Sequence, residues 1–172
     1  MRVITGIYKG RHFEVPRTFK ARPTTDFAKV NIFNVLNGYM DLEDASALDL
    51  FAGTGSITLE MLSRGCADVT SVEMDRDHAS FIRQCLQKLG DEDCSLIRGD
   101  VFRFLKSCKR KYDLIFADPP YALPDLPEDA DQNLKKQKAQ QQILKILAPI
   151  GLQKNLQTNR RKKKLRSKLL QD

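Results

Sequence analysis

The chain has 172 residues, of which 41% are hydrophobic, and a formal net charge of +7. This length predicts a single domain with a substantial core. The sequence lacks the run of about eighteen apolar residues that a membrane span needs, and its early polar residues are not typical of a signal peptide. The four cysteines match neither a metal-binding knuckle nor a small disulfide framework. We therefore expect a cytoplasmic protein with no membrane association and no metal site.

The positive charge lies at the two ends of the chain. Residues 151–172 hold eight Lys or Arg and one acid, which leaves the remaining body neutral. Within that body, residues 1–29 carry seven bases against two acids, with four aromatic residues interleaved. Such a surface is typical of proteins that contact phosphates and stack on bases, although a solvated hairpin can share this composition.

The first forty residues predict a hairpin followed by a helix. Residues 2–15 contain two short β-like runs joined by a turn at Gly10. A helix is expected next, because Thr24 or Thr25 can cap it and apolar residues recur downstream at helical spacing. Gly38 is expected to end this helix.

From residue 45 onward, strand-like and helix-like segments alternate. The predicted strands cover residues 47–51, 69–73, 95–98 and 113–117, and the predicted helices cover residues 56–62, 78–89 and 101–108. Strands separated by helices imply right-handed crossovers and a parallel sheet covered on both faces. The predicted class is α/β, with a doubly wound, mainly parallel, Rossmann-like sheet.

Beyond residue 121 the alternation stops. Residues 128–142 are largely polar, and residues 153–172 are polar and basic with isolated leucines. This composition favours a solvated helix or a disordered tail over a core element. We therefore expect the C-terminal strands of the sheet to be missing. The predicted units are an N-terminal hairpin and helix (1–40), a core (41–124) and an atypical basic segment (125–172).

Two glycines and four acids fall near predicted strand ends. Gly53 and Gly55 occupy the turn between the first strand and its helix, whose N-terminus favours negative charge. The acids are Asp49, Glu73, Asp100 and Asp118. A dinucleotide pyrophosphate prefers a glycine where Thr58 stands, whereas acids suit a cationic ligand. S-adenosylmethionine, with an ammonium, a sulfonium and no phosphate, therefore fits better than a dinucleotide; acids that only cap helices are the structural alternative.

The residues Asp118-Pro119-Pro120-Tyr121 follow the fourth predicted strand. The prolines donate no hydrogen bonds, so their carbonyl groups are acceptors beside the Asp118 carboxylate. Tyr121 adds a stacking surface. This combination suits the exocyclic amine of a nucleic-acid base, although a strand that stops at a Pro-Pro turn would show the same pattern.

The order of these motifs resembles that of class I S-adenosylmethionine-dependent methyltransferases. It is most similar to the bacterial RsmD family, whose members methylate the N2 amine of a guanine in small-subunit ribosomal RNA. The matching segments are residues 2–6, 10–11, 21–26, 48–55, 71–73, 98–101 and 116–121. Many amine methyltransferases share the cofactor turn and the Asp-Pro-Pro-Tyr motif, and the Arg-Pro-Thr segment at residues 22–24 narrows the match.

The resemblance implies a role for each matched residue. S-adenosylmethionine would be bound by Asp49, Phe51, Gly53, Gly55, Glu73, Asp100 and Val101. The target guanine would be held by the catalytic residues Asp118, Pro119, Pro120 and Tyr121. The ribosomal RNA, free or within a small-subunit assembly particle, would be contacted by Arg2, Lys9, Arg11 and Arg22.

Three other functions remain open at this point. A catalytically impaired, RNA-binding remnant of the family would keep the basic surface without the activity. A DNA adenine-N6 methyltransferase would share the chemistry, although such enzymes more often carry Asn before Pro-Pro. A dinucleotide-dependent oxidoreductase is disfavoured by Thr58 and by the acidic site.

Overall fold

The computed structural model describes residues 1–119. Its elements in chain order are α1 (Asp26–Asn37), β1 (Ser46–Leu50), α2 (Ser56–Ser63), β2 (Asp68–Glu73), α3 (Arg76–Leu89), β3 (Cys94–Arg98), α4 (Val101–Ser107) and β4 (Leu114–Ala117). The strands and helices predicted between residues 45 and 117 are therefore confirmed, with ends that shift by no more than about two residues.

The four described strands form one parallel sheet in the order β3-β2-β1-β4. At its end, Leu50 of β1 lies beside Val72 of β2 and Ala117 of β4. The chain moves outward from β1 to β3 and then returns to the other side of β1. In open α/β sheets, ligands bind outside the carboxyl ends of the strands at such a reversal. The predicted doubly wound α/β class is confirmed, and its reversal lies between β1 and β4.

Side chains cap the starts of α1 and α3, and the cap of α1 is one of the two expected. Thr25 precedes α1, and its hydroxyl accepts a hydrogen bond from the Ala28 amide at 3.2 Å. Asp75 caps α3 through the amides of residues 77 and 78. Gly90 ends α3 in the left-handed conformation, with φ 66°. The caps fix where these helices begin and end, and therefore where the loops that adjoin them lie.

The predicted N-terminal hairpin is reduced to one antiparallel bridge, between Arg2 and His12. Its first run does not continue as a strand because helix α2 takes the backbone donors. The Ile7 amide donates to the Ser63 carbonyl oxygen at 2.8 Å, and the next amide donates to the Ser63 hydroxyl. Gly6 permits this approach, since a Cβ there would lie 1.6 Å from the Ser63 carbonyl oxygen.

The first forty residues share a hydrophobic core with the sheet. Val3, Phe13 and Phe33 are buried in the same cluster as Leu59 of α2 and Ile82 of α3. The expected domain boundaries at residues 40 and 124 stay predictions. The expectations of missing C-terminal strands and of an atypical segment at 125–172 fall outside the described residues. Among residues 1–119 the longest helix has 14 residues, and none is long and apolar enough to cross a membrane.

Candidate cofactor site

The strand ends bring three of the predicted acids to one edge of the sheet. Glu73 is the last residue of β2, Asp118 directly follows β4, and Asp100 follows β3 by two residues. The Gly99 amide donates to the Glu73 carbonyl oxygen at 3.0 Å, which keeps the end of β3 against β2. Because the strands are parallel and in register, these residues lie side by side along the carboxyl edge.

Asp49 lies within β1, beneath this edge, with 1% of its surface exposed. Its Oδ2 accepts a hydrogen bond from the Thr58 hydroxyl at 2.6 Å, and that hydroxyl lies 2.7 Å from Ser71 Oγ. Burial raises the pKa of Asp49 to about 7, against the hydrogen bonds from Thr58. The negative charges of Glu73 and Asp118 add to the rise. A positive ligand group at this edge would relieve that repulsion.

Glu73 holds the turn that follows β1. Its Oε2 accepts a hydrogen bond from the Gly53 amide at 2.6 Å, and its Oε1 accepts one from the Asp75 amide at 2.8 Å. The Nδ1 atom of His78 lies 3.8 Å from Oε1. Hydrogen bonds to an ionised group are strong and fix the carboxylate in place. A carboxylate has about four acceptor positions, so Glu73 can still accept hydrogen bonds from ligand hydroxyls.

The two glycines of this turn are needed for different reasons. Both have positive φ, 57° for Gly53 and 75° for Gly55. A Cβ on Gly55 would lie 2.8 Å from Ile82 Cγ1 of α3, so the packing of the turn on α3 requires glycine there. A Cβ on Gly53 would meet Ala21 Cβ at an ordinary 3.5 Å. The sequence interpretation assigned both glycines to ligand approach, but Gly55 is already explained by internal packing.

An aromatic pair flanks the far side of the edge. Phe51 has a φ of 63°, which is rare for a bulky residue. Residues with such strained backbone angles cluster at functional sites. Its ring centroid lies 6.2 Å from that of Phe102, the second residue of α4. Val101 is buried at the start of that helix. Asp100 caps α4, because its Oδ1 accepts a hydrogen bond from the Arg103 amide at 2.7 Å. Capping, the structural alternative raised for the acids, thus holds for Asp100.

The residues at the start of α2 fit a zwitterionic ligand. Ser56 is 4% exposed, and its hydroxyl oxygen has no hydrogen-bond partner within the described part of the chain. Buried polar groups are nearly always paired, so this hydroxyl marks a place for a polar ligand group. The helix N-terminus favours an anion there, while the nearby acids favour a cation. This donor set fits the amino-acid part of S-adenosylmethionine, which carries both charges.

The predicted RNA-contacting residues do not form one patch. Arg22 is exposed and adjoins Ala21, which packs beside Gly53 at the cofactor edge. Arg2 is paired with Asp26, with 2.8 Å between Arg2 Nη2 and Asp26 Oδ2. Both of these arginines therefore lie in the chain segments that lead into and pack on α1.

Lys9 and Arg11 lie on a turn at the opposite edge of the sheet. The Tyr8 amide donates to Ser63 Oγ at 3.0 Å, and the Tyr8 hydroxyl donates to Asp91 Oδ2 at 2.9 Å. These two partners lie at the C-terminal ends of α2 and α3, which in a parallel α/β sheet adjoin the amino ends of the strands. A five-residue strand is about 16 Å long, so this turn is well separated from the cofactor edge.

Of the predicted catalytic residues, two lie in the described part of the chain. Asp118 is exposed and Pro119 is buried. Pro120 and Tyr121 lie outside the described residues. Four further residues that the structure places around this site were not predicted to act there: Ser56, Ser71, His78 and Phe102. Ser56 directly follows the glycine turn and Ser71 lies in the matched segment 71–73, whereas His78 and Phe102 stand in no recognisable motif.

Comparisons with known proteins identify the family. The family model described as Conserved hypothetical protein 95 matches residues 1–168. Ribosomal RNA small subunit methyltransferase D of Escherichia coli (strain K12) is 35% identical over 121 residues, which cover 70% of this chain and 60% of that protein. Its namesake in Haemophilus influenzae is 35% identical over 125 residues, covering 70% and 64%.

A solved structure of similar fold is that of yhhF from Escherichia coli, with a TM-score of 0.62 and 34% identity over 70% of this chain and 64% of that chain. The chain spans about three fifths of the length of the first curated relatives it matches. The chain belongs to the Conserved hypothetical protein 95 family, the RsmD family that its motifs resemble.

Proposed function

We propose that this protein transfers a methyl group from S-adenosylmethionine to the N2 amine of a guanine in small-subunit ribosomal RNA. The observation that carries the proposal is the group of acids at the carboxyl ends of the strands around the reversal between β1 and β4. Glu73 at the end of β2 and Asp118 after β4 lie on either side of β1, which holds buried Asp49. The relatives named as small-subunit ribosomal RNA methyltransferases support the substrate class. The choice of guanine N2 rests on the resemblance to the RsmD family.

The cofactor would be held by groups of both signs. S-adenosylmethionine supplies an electrophilic methyl group on a sulfonium. Glu73, already fixed by the Gly53 amide, would accept hydrogen bonds from the ribose hydroxyls. The Ser56 hydroxyl and the α2 N-terminus would hold the carboxylate end. A cation close to Glu73 and Asp118 would lower the pKa of Asp49, so binding near neutral pH would release a proton from that carboxyl.

The target amine would be oriented at the end of β4. The lone pair of guanine N2 is delocalised into the ring, which makes the nitrogen a poor nucleophile. Asp118 and the Pro119 carbonyl would accept hydrogen bonds from its two N–H groups, so that the nitrogen can pyramidalise toward the methyl group. The methylated amine must then lose a proton, which the Asp118 carboxylate would accept. Tyr121 keeps its predicted stacking role on the extruded base.

Calorimetry and a methyl-transfer assay test this proposal. The full chain is titrated with S-adenosylmethionine, and tritiated methyl transfer is measured on naked small-subunit RNA, on assembly particles and on duplex DNA. We expect cofactor binding and an N2-methylguanine product from RNA or particles. Asp118→Ala is expected to abolish transfer with cofactor affinity kept, whereas Asp77→Asn, an exposed acid on α3, serves as the control.

Three results would contradict the proposal in distinguishable ways. Undiminished turnover by Asp118→Ala would remove its catalytic role. N6-methyladenine formed in DNA would favour the adenine methyltransferase. Binding of RNA without any binding of the cofactor would favour the non-catalytic remnant.

A further inference from the structure

A segment that precedes α1 lies across the cofactor edge. We call residues 16–23 the strap. The Phe19 ring packs on His78, with centroids 4.6 Å apart, and meets Phe81 edge-on at 5.5 Å. Two residues later, Ala21 lies against Gly53, where a Cβ would be 3.5 Å from Ala21 Cβ. The strap therefore touches both α3 and the glycine turn.

A charged side chain of the strap, Lys20, acts on Asp75 in the loop between β2 and α3. The pKa of Asp75 lies below its usual range, chiefly because the His78 amide donates a hydrogen bond to it, and Lys20 of the strap adds to this lowering. Asp75 in turn donates its amide to Glu73 Oε1 at 2.8 Å. Thus the Phe19 ring packs on α3, while Lys20 acts electrostatically on Asp75 in the loop after β2.

His78 joins the strap to the carboxylate that holds the turn. It is 8% exposed, with the Phe19 ring packed against it and with Glu73 Oε1 3.8 Å from its Nδ1. That distance is too long for a direct hydrogen bond. The imidazole ring therefore lies beside the Glu73 carboxylate without a direct hydrogen bond. Glu73 Oε2 then holds the Gly53 amide at 2.6 Å.

We propose that Phe19 and His78 are positioning residues that make the alignment of Glu73, and hence cofactor affinity, depend on the placement of the strap. This inference rests on the proposed function for its cofactor and RNA. The strap carries Arg22 and Lys20, both exposed. RNA that binds these side chains would therefore influence the position of the strap. RNA binding and cofactor binding are then coupled, and the coupling is reciprocal.

The first test needs no cofactor. Hydrogen exchange of the Gly53 amide is followed by NMR in the full chain. The Val69 amide at the amino end of β2, which donates to the Asp93 carbonyl oxygen at 2.9 Å, is the internal reference. Phe19→Leu and His78→Ala are expected to speed Gly53 exchange about tenfold, within the range of typical coupling energies. Phe19→Tyr, which keeps the ring, and Gln87→Ala, at an exposed position on α3, are expected to leave it unchanged.

The second test separates positioning from general loss of structure. For Phe19→Leu and His78→Ala, KM for S-adenosylmethionine is expected to rise about tenfold, with kcat at saturating cofactor within about twofold of the parent. The double variant should lose no more affinity for S-adenosylhomocysteine than the more affected single variant, because both act through Glu73.

The outcomes distinguish the two proposals. Unchanged Gly53 exchange in both variants, or fully additive affinity losses, would overturn the positioning role. Faster Gly53 exchange in a chain that binds no S-adenosylmethionine would support the link from the strap to Glu73 and overturn the proposed function instead. Equal acceleration of the Val69 amide would also overturn the positioning role, since it would indicate global loosening.

Discussion

Thr58 Oγ1 of α2 donates a hydrogen bond to Asp49 Oδ2 of β1 at 2.6 Å. Thr58 is fully buried on α2, at the position where a dinucleotide-binding turn prefers a third glycine. Its hydroxyl also lies 2.7 Å from Ser71 Oγ of β2. The residue that argued against a pyrophosphate ligand is thus the one that fixes an acid beneath the cofactor edge.

The first prediction concerns the pH dependence of stability. Burial places the folded-state pKa of Asp49 at about 7, above its ordinary 3.8. The protonated form is therefore favoured by folding, and this contribution is fully present below about pH 4 and is lost as the pH rises through about 7. Asp49→Asn stays neutral at every pH and does not lose this contribution. Relative to the parent, its free energy of unfolding should therefore rise by up to about 4 kcal/mol between pH 4 and pH 8.

Urea denaturation at several pH values measures this difference. Glu92→Gln, which removes an exposed carboxylate, is the matched control and should give a curve parallel to that of the parent. A constant offset between Asp49→Asn and the parent across this range would show that Asp49 does not titrate there.

The second prediction concerns Glu73. Glu73→Gln keeps the size of the side chain but removes the charge that strengthens its hydrogen bonds with the amides of Gly53 and Asp75. Hydrogen bonds to charged groups are worth about 1.5–3 kcal/mol, so affinity for S-adenosylmethionine should fall at least about tenfold in calorimetry. Asp77→Asn makes the same charge change at an exposed site. Equal losses in both variants would point to net charge as the cause.

Periodicity and turn chemistry were enough to predict the sheet. The strands and helices from β1 to β4 follow from alternating apolar runs, and Thr25 and Gly38 bound α1 as expected. The hairpin could not be judged from its sequence, since the fate of residues 4–8 depends on Ser63, more than fifty positions away. Gly6 is explained only by that contact.

The positions of site residues could be predicted from sequence where strand ends determine them. They could not be predicted where side-chain packing and local hydrogen bonds determine them. Glu73 and Asp118 follow from the rule that parallel strands gather their carboxyl ends. The capping role of Asp100 and the pairing of Arg2 with Asp26 depend on local geometry that the pattern does not fix. The distance of Lys9 and Arg11 from the cofactor edge likewise arises from the contacts of their turn with Ser63 and Asp91.

The third prediction concerns a buried ion pair that ties the N-terminal segment to α2. Lys29 and Glu60 are 1% and 0% exposed, and Lys29 Nζ lies 3.5 Å from Glu60 Oε1. Lys29 also donates to the Arg2 carbonyl, and Glu60 Oε1 accepts the Ile4 amide at 2.5 Å. Lys29→Met would leave buried Glu60 with Arg64 as its remaining cationic partner, 3.3 Å from Glu60 Oε2. The free energy of unfolding should therefore fall by about 3 kcal/mol, the lower end of the range for broken buried pairs.

Chemical denaturation of Lys29→Met against Arg2→Met, which makes the same change at the exposed pair, tests this assignment. The pair between Arg2 and Asp26 has side chains 57% and 44% exposed, and exposed pairs are worth at most about 1 kcal/mol. Similar small losses in both variants would show that the buried pair is not a main source of stability.

The fourth prediction separates the two edges of the sheet in RNA recognition. Arg22 is exposed beside the segment that packs on Gly53, whereas Lys9 lies on the turn held by Ser63 at the amino ends of the strands. RNA whose guanine reaches Asp118 must approach the carboxyl edge. Arg22→Glu should therefore raise KM for RNA about tenfold or more and reduce the salt dependence of binding, because it removes a phosphate contact. Lys9→Glu makes the same charge change and should alter KM by less than about threefold. Methyl-transfer kinetics at several salt concentrations measure both effects, and a larger loss for Lys9→Glu would mean that the RNA extends across the sheet to its amino edge.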